Sequence, residues 1–363
     1  MSPMISISRS NFFCGLTIAF SLCFLYTLNY PNTTQSSSKN SPIDPYKKLH
    51  IILNPNATIT RLIQTPHVPP SSHPNLPIPV LSKDVTINQS KNTWVRVFLP
   101  RNALNHTSSR RRLPLVVFFH GGGFILLSAA TRIFHQFCVN MANDIEAVVV
   151  SVEYRLAPEN RLPEAYDDAM EALHWIRISQ QEEDWLARYA DYSNCFLMGS
   201  SAGGNIAYHA GLRAAAEADH LLPLKIAGLI LVQPFFGGVR MTASELRLLN
   251  DRALPLSVAY LMWNLSLPVG VDRDHEYCNP MAGNGPKQLD NIRQLGWQVL
   301  VTGCDGDPLV DRQIEVVRLM LEKDLQVVGS FDVGDYHGIQ DREPLKAKQV
   351  YGVIKNFMSS MSA

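Results

Sequence analysis

The stretch NCFLMGSSAGGNIAYHAGLRAAAEA, which begins at Asn194, constrains the fold more than any other part of the chain. Its first residues form an apolar run that predicts a buried strand, and its last residues are good helix formers. Where a strand turns this sharply into a helix, the residues two places before and after the turning residue must be small. Gly199 and Gly203 stand in those places around Ser201. The pattern therefore predicts an exposed nucleophile at Ser201 and not at the neighbouring Ser200.

Apolar runs and helical patterns alternate along the rest of the chain. Buried strands are predicted for LPLVVFFHGGG, AVVVSVEYR, KIAGLILVQP and GWQVLVTG, and helices for 131–144, LPEAYDDAMEALHWIR and 311–323. This alternation is typical of an α/β fold whose mostly parallel central sheet is flanked by helices on both faces. We expect one such domain over residues 45–363. A Pro-rich front around 45–80 and a helical insertion around 240–277 interrupt the pattern, and we interpret them as cap elements.

The N-terminal residues differ from the domain. Residues 1–30 contain an uncharged apolar segment at 12–28, and a polar linker follows at 31–44. A segment of that length predicts a signal peptide or a membrane anchor. We therefore expect the secretory pathway, or membrane attachment through residues 12–28. A cytoplasmic protein with an inert extension is the alternative.

Charge and cysteine content exclude several function classes. Lys and Arg together number 32, as do Asp and Glu, so no basic surface for nucleic acid is predicted. Cys138, Cys195, Cys278 and Cys304 have no C-x-x-C spacing and are interpreted as small buried residues. The sequence holds no P-loop and no H-E-x-x-H, so no metal site is predicted. The oligomeric state is left open.

A glycine-rich turn follows the first of the predicted strands. His120 is followed by three glycines, a pattern in which backbone N–H groups can point at a substrate oxygen. We predict an oxyanion hole formed by the amides of Gly122, Gly123 and Ala202. His120 itself is expected to anchor this loop.

A serine nucleophile needs a base and an acid, which follow it along the chain in this fold. His337 lies just after the last strand-like run and is predicted to take the proton of Ser201. The acid is expected in VTGCDGDPLVDRQ. Spacing favours Asp307 there and leaves Asp305 and Asp311 open. Asp307 has a second candidate role, because an aspartate followed by proline often caps a helix.

Together, HGGGF, SVEYRLAPENRLPEAYDDA, GSSAGGN, GDPLVDRQ and FDVGDYHG resemble the plant carboxylesterases, in the hormone-sensitive-lipase-like branch of the α/β hydrolases. The resemblance implies hydrolysis of small or medium uncharged esters, such as short-chain acyl esters of plant metabolites. It implies an acyl-enzyme and no metal or organic cofactor. It also assigns the acid to Asp307, the base to His337 and the oxyanion donors to Gly122 and Gly123. The chain departs from these relatives at Ser200, where they often carry an acid, and in its apolar leader.

The same branch offers two alternatives to an esterase. One is a dehydratase or cyclase of specialised metabolism, which triad residues do not exclude. The other is a hormone-receptor-like binding protein, which the presence of His337 disfavours. For the esterase as for the two alternatives, the insertion is expected to shape the pocket, with Tyr260 and Trp263 as candidate lining residues beside Leu256 and Leu261. Plain core packing is the alternative for these apolar side chains.

Overall fold

The computed structural model describes residues 5–7, 43–105, 112–181 and 185–361. Nearly all of the predicted leader and linker, including 12–28, lies outside these ranges. Among the described helices, none combines the length and the apolar character needed to cross a bilayer.

A nine-stranded sheet forms the centre of the molecule, and a two-stranded ribbon of β2 and β3 lies apart from it. In chain order the strands are β1 (Ile5–Ile7), β2 (Ile51–Leu53), β3 (Ile59–Arg61), β4 (Val80–Asn88), β5 (Thr93–Pro100), β6 (Leu113–Phe119), β7 (Val148–Glu153), β8 (Ala190–Ser200), β9 (Ile226–Val232), β10 (Gln298–Gly306) and β11 (Gln326–Tyr336). The spatial order is β1-β11-β10-β9-β8-β6-β7-β5-β4. Strands β6 to β11 pair in parallel, whereas β1, β4 and β5 pair antiparallel at the two edges. The prediction of a mostly parallel sheet is confirmed.

Helices cover both faces of this sheet. They are α1 (Pro45–Leu49), α2 (Arg132–Ile145), α3 (Glu164–Ser179), α4 (Trp185–Tyr189), α5 (Ala202–Ala216), α6 (Ala243–Arg247), α7 (Leu256–Ser266), α8 (Gly285–Gln294), α9 (Val310–Glu322) and α10 (Pro344–Ser360). Short 3₁₀ turns lie at Arg101–Asn105, Ala218–Leu221 and Ile339–Asp341.

Successive side chains of β6 point to opposite faces, as the period of a strand requires. Val117 and Phe119 belong to the core that α3, α5 and α9 cover. Val116 and Phe118 belong to the core under α2 and α10. Because both faces are buried, the central strands are apolar throughout. The cysteines predicted to be buried, Cys138, Cys195, Cys278 and Cys304, are buried free thiols, and the first three belong to these cores.

The N-terminal helix and the insertion lie next to each other. Helix α1 packs beside α7, and Ser257 Oγ donates to the carbonyl oxygen of Ile43 at 3.2 Å. At the other end of α7, Ser266 Oγ donates to the carbonyl oxygen of Gly123 at 3.3 Å. This hydrogen bond attaches α7 to the glycine loop that follows β6.

Candidate active site

Ser201 occupies the sharp turn between β8 and α5. Its φ of 55° and ψ of −117° lie where residues other than glycine are strained. Two backbone hydrogen bonds hold it there, from Ser201 N–H to Val232 O and from Phe235 N–H to Ser201 O, each 2.9 Å. A Cβ on Gly199 would collide with the carbonyl oxygen of Gly203, so the turn tolerates no larger residue at that place.

Two hydrogen bonds connect Ser201 to a buried carboxylate through an imidazole. His337 Nε2 lies 2.9 Å from Ser201 Oγ, and His337 Nδ1 lies 2.8 Å from Asp307 Oδ2. Each of the three residues directly follows the carboxyl end of a strand, namely β8, β10 or β11. Because these strands are parallel, their carboxyl ends lie on the same side of the sheet. The structure thus brings together all three residues predicted as catalytic from the sequence. An imidazole placed this way can accept a hydroxyl proton while the carboxylate stabilises its charged form.

The other two acids considered in this loop have different partners. Asp305 Oδ1 accepts from Gly334 N–H at 2.7 Å, and Asp311 Oδ2 accepts from Ser244 N–H at 2.7 Å. Neither therefore directs that oxygen at His337. Asp307 does not cap α9, because the helix begins only at Val310. Its Oδ1 instead accepts from Leu309 N–H at 2.9 Å, which fixes the turn before the helix.

A residue that the sequence did not single out orients the carboxylate. Gln313 Nε2 donates to Asp307 Oδ2 at 2.9 Å from within α9. Asp307 is fully buried, so these neutral donors replace the water that the carboxylate loses. Gln313 is the last residue of GDPLVDRQ, six places after Asp307, but no role was predicted for it.

Two opposing effects act on the pKa of His337. Burial lowers it, but the negative charge and hydrogen bond of Asp307 outweigh burial, and Asp341 adds to their effect. The pKa of His337 is therefore raised above its ordinary value. The structure thus supplies an imidazole whose protonated form is stabilised in place.

His120 anchors the glycine loop and does not contact Ser201. Its Nδ1 lies 2.7 Å from Gly121 O, and its ring stacks on Tyr154 at 4.3 Å between ring centroids. Tyr154 OH also donates to the carbonyl oxygen of His120 at 2.8 Å. Burial lowers the pKa of His120 to about 4, so the ring is neutral near pH 7. These contacts fix the loop beside the serine.

The glycine loop runs alongside Ser201. A Cβ on Gly121 would lie 3.4 Å from Ser201 Cβ, which shows how closely the two segments approach. Gly122 has a φ of 118°, and a Cβ there would collide with Leu126 O, so only glycine fits. Gly122 and Gly123 line the same cavity as Ser201 and His337. Ala202 opens α5, where first-turn amides lack a partner four residues back.

Ser200 bonds to two residues of the 3₁₀ turn that follows His337. Its hydroxyl donates to Asp341 Oδ2 at 3.3 Å and accepts from Gln340 Nε2 at 3.2 Å. Asp341 was not identified from the sequence, although it follows His337 by only four residues. Burial raises the pKa of Asp341 to about 6. Ser200 thus contacts a carboxyl group that reaches it from the turn after His337.

A cavity of about 360 Å³ opens next to Ser201. Val258 and Met262 line it from α7. Neither Tyr260 nor Trp263 lies at this cavity. Trp263 stacks on Phe235 at 4.6 Å, and the Tyr260 ring lies 3.7 Å from the Arg273 guanidinium. The two predicted lining residues thus lie outside the cavity wall, and Trp263 packs behind Phe235, which does line the cavity.

Comparisons with known proteins identify the fold and the family of the chain. A profile of the α/β-hydrolase fold family matches residues 116–341. Carboxylesterase 20 of Arabidopsis thaliana is 49% identical over 89% of this chain and 99% of its own length. A 3-O-acetylpapaveroxine carboxylesterase of Papaver somniferum is 43% identical over 87% of this chain and 99% of its own length.

The chain belongs to the plant carboxylesterase family of α/β hydrolases. The enzyme is thus a carboxylic-ester hydrolase. Its fold matches the crystal structure of an esterase from Pyrobaculum calidifontis with a TM-score of 0.65 and 27% identity, over 80% of this chain and 87% of that one.

Proposed function

We propose that this enzyme hydrolyses small or medium uncharged carboxylic esters, including short-chain acyl esters of plant metabolites, through an acyl-enzyme on Ser201. The observation that carries the proposal is the hydrogen-bonded chain from Ser201 Oγ through His337 to buried Asp307. The carboxylesterases among its relatives support the same reaction class.

The reaction begins with attack of Ser201 Oγ on the ester carbonyl carbon while His337 Nε2 takes the hydroxyl proton. The tetrahedral intermediate collapses when His337 returns that proton to the leaving alcohol oxygen, which leaves the acyl group on Ser201. Water then repeats the sequence: His337 accepts a proton from water, the hydroxyl adds to the acyl carbon, and the proton returns to Ser201 Oγ. Asp307 remains ionised and holds the imidazole in the tautomer that exposes Nε2.

The negative oxygen of each intermediate needs donors that are in place beforehand. We assign this role to the amides of Gly122, Gly123 and Ala202, which the anchored loop and the start of α5 present beside the serine. Removing one such donor from a hydrolase typically lowers kcat by roughly 10²–10³-fold. The positive φ of Gly122 and the His120 contacts keep the loop in one conformation.

The segments around 45–80 and 240–277 act as the cap that sets substrate size in this proposal. Lys48 and Leu49 of α1, together with Val258 and Met262 of α7, contribute to the walls of the cavity at Ser201. A cavity of about 360 Å³ suits a small or medium ester.

The proposal is tested with p-nitrophenyl acetate and butyrate and with an organophosphate that carries a p-nitrophenolate leaving group. We expect turnover of both esters, inactivation by the organophosphate, and a single phosphoryl adduct that mass spectrometry locates at Ser201. An adduct on Ser200 would reassign the nucleophile. Labelling of Ser201 without turnover of either ester would favour elimination or cyclisation over hydrolysis.

For the leader, we propose that residues 12–28 direct the enzyme to the secretory pathway or anchor it to a membrane, because the segment is apolar and uncharged. A fluorescent fusion of the full chain is expected on membranes or in the secretory pathway of plant cells, and a fusion lacking residues 1–40 in the cytosol. Identical cytosolic distribution of both fusions would refute the targeting role.

A further inference from the structure

Three basic side chains surround the mouth of the cavity at Ser201. Lys48, Arg252 and Arg342 line that cavity together with Ser201 and His337. The same three also line an adjoining cavity of about 570 Å³. They therefore stand at the boundary between the two cavities, and we call them the cationic rim.

The cationic rim is assembled from three distant parts of the chain. Lys48 lies in α1, Arg252 lies in the turn before α7, and Arg342 follows the 3₁₀ turn after His337. All three are solvent-exposed. Within the ranges that the structure describes, none of their side chains forms an ion pair or a hydrogen bond. Lys47, by contrast, pairs with Asp44 at 3.8 Å, although it is the immediate neighbour of Lys48.

Three acids lie beside the rim, and one oxygen of each accepts a hydrogen bond from a group outside the rim. Asp251 Oδ1 accepts from the backbone N–H groups of Ala253 and Leu254 at 2.8 Å and 2.6 Å. Glu343 Oε1 accepts from Tyr336 OH at 3.1 Å. The third acid, Asp341, accepts from Ser200 Oγ at 3.3 Å. These carboxylates keep their negative charge, and Arg342 interacts electrostatically with Asp341. The rim cations still outnumber the acids, three to one around the cavity at Ser201 and three to two around the adjoining cavity.

The inner wall of the cavity has the opposite character. It is apolar and is formed by Leu126, Leu127, Phe134, Leu254, Val258 and Met262. A ligand with its ester group at Ser201 therefore meets apolar surface on the inside and an excess of positive charge at the opening. Guanidinium groups bind carboxylates in a bidentate geometry that ammonium groups cannot reproduce. Arg252 and Arg342 are therefore suited to bind a carboxylate.

We propose that the cationic rim binds a carboxylate carried by the substrate at the end remote from the ester carbonyl. This inference rests on the proposed esterase function and extends its substrate class from uncharged esters to esters with a distant negative charge. The binding step involves no covalent chemistry of the rim residues.

The test compares two pairs of esters that differ in one charge. Mono-4-nitrophenyl adipate and its methyl ester place the charge on the acyl side, and 3-acetoxybenzoate and its methyl ester place it on the alcohol side. The measured quantity is the ratio of kcat/KM for the anionic ester to kcat/KM for the neutral ester. In at least one pair, we expect Arg252→Gln and Arg342→Gln each to lower this ratio about tenfold, because one charge-assisted contact is lost. Lys48→Gln should lower it several-fold.

Lys47→Gln is the matched control, since it removes the same charge one residue away from the rim and should leave both ratios unchanged. Raising NaCl from about 0.05 to 0.5 M should lower the wild-type ratio, because the rim is exposed to solvent and screened by salt. Equal melting temperatures by circular dichroism show that the variants fold.

The outcomes separate the inference from the function on which it rests. If all four esters are hydrolysed and both ratios are the same in wild type and the three rim variants, the anion site does not exist and the esterase function stands. If none of the four esters is hydrolysed, the proposed function itself fails. A ratio that falls equally in Lys47→Gln would show a general charge effect and would also overturn the site.

Discussion

Ser201→Ala is expected to lower kcat for p-nitrophenyl butyrate by roughly 10³-fold or more, with a much smaller change in KM. The substitution removes the only atom that can carry the acyl group in the proposed reaction, whereas the cavity walls and the glycine loop stay in place. The residual rate then comes from binding and the oxyanion donors alone. Steady-state kinetics measure the change in kcat and KM, and mass spectrometry after organophosphate treatment measures the loss of the adduct.

Ser200→Ala is the matched control, because it removes the same hydroxyl from the neighbouring residue. Ser200 Oγ contacts Asp341 and Gln340 and not His337, so its loss should leave kcat within about tenfold of wild type. A loss in Ser200→Ala as deep as in Ser201→Ala would contradict the assignment of the nucleophile. Unchanged thermal unfolding of both variants would rule out misfolding as the cause.

The parallel part of the sheet could be predicted because both of its faces are buried, which leaves continuous apolar runs in the sequence. The helix predicted over 131–144 corresponds to α2 (Arg132–Ile145), and the one over 311–323 corresponds to α9 (Val310–Glu322). Strands β4 and β5 were not predicted. The outer half of β4 alternates between exposed and partly buried residues, and the strand follows a Pro-rich segment that gives no strand signal.

The site could be predicted only as far as chain order and local turns define it. Ser201 follows from the spacing of two glycines, and His337 follows from its place after the last strand. Asp341 contacts Ser200, and Gln313 contacts Asp307, only because the chain is folded. No spacing pattern in the sequence predicts these two contacts. Helix α7 shows the same limit. It is apolar on nearly every face, so no pattern distinguishes the side with Val258 and Met262 from the side with Trp263.

The pH dependence of the reaction is expected to depend on Asp307. A base must be neutral to accept a proton, so activity falls as the pH drops through the pKa of His337. Burial lowers that pKa, and the charge of Asp307 raises it above its ordinary value. Asp307→Asn removes the charge and leaves burial, so the pKa of His337 falls. The acidic limb of the kcat/KM profile should therefore move to lower pH in this variant.

Asp307→Asn should also lower kcat for p-nitrophenyl butyrate by roughly 10³–10⁴-fold, because it changes the tautomer of His337. In wild type, Asp307 Oδ1 accepts from Leu309 N–H, and Oδ2 accepts from Gln313 and His337. An asparagine has one acceptor oxygen. If that oxygen keeps the bond to Leu309 N–H, its NH₂ group faces His337 Nδ1 and requires an unprotonated nitrogen there. The ring proton then sits on Nε2, which can no longer accept the proton of Ser201.

Asp305→Asn is the control for this change, since it neutralises an acid two residues away whose Oδ1 accepts from Gly334 N–H. We expect it to keep kcat within about tenfold of wild type and to leave the acidic limb in place. The reverse pattern, a deep loss in Asp305→Asn beside a mild one in Asp307→Asn, would show that Asp305 and not Asp307 is the acid of the triad. Full activity in both variants would mean that the carboxylate behind His337 contributes nothing to its orientation. Kinetics from pH 5 to 9 on wild type and both variants distinguish these cases. The change of tautomer lowers the maximal rate, whereas the loss of charge moves the acidic limb of the kcat/KM profile.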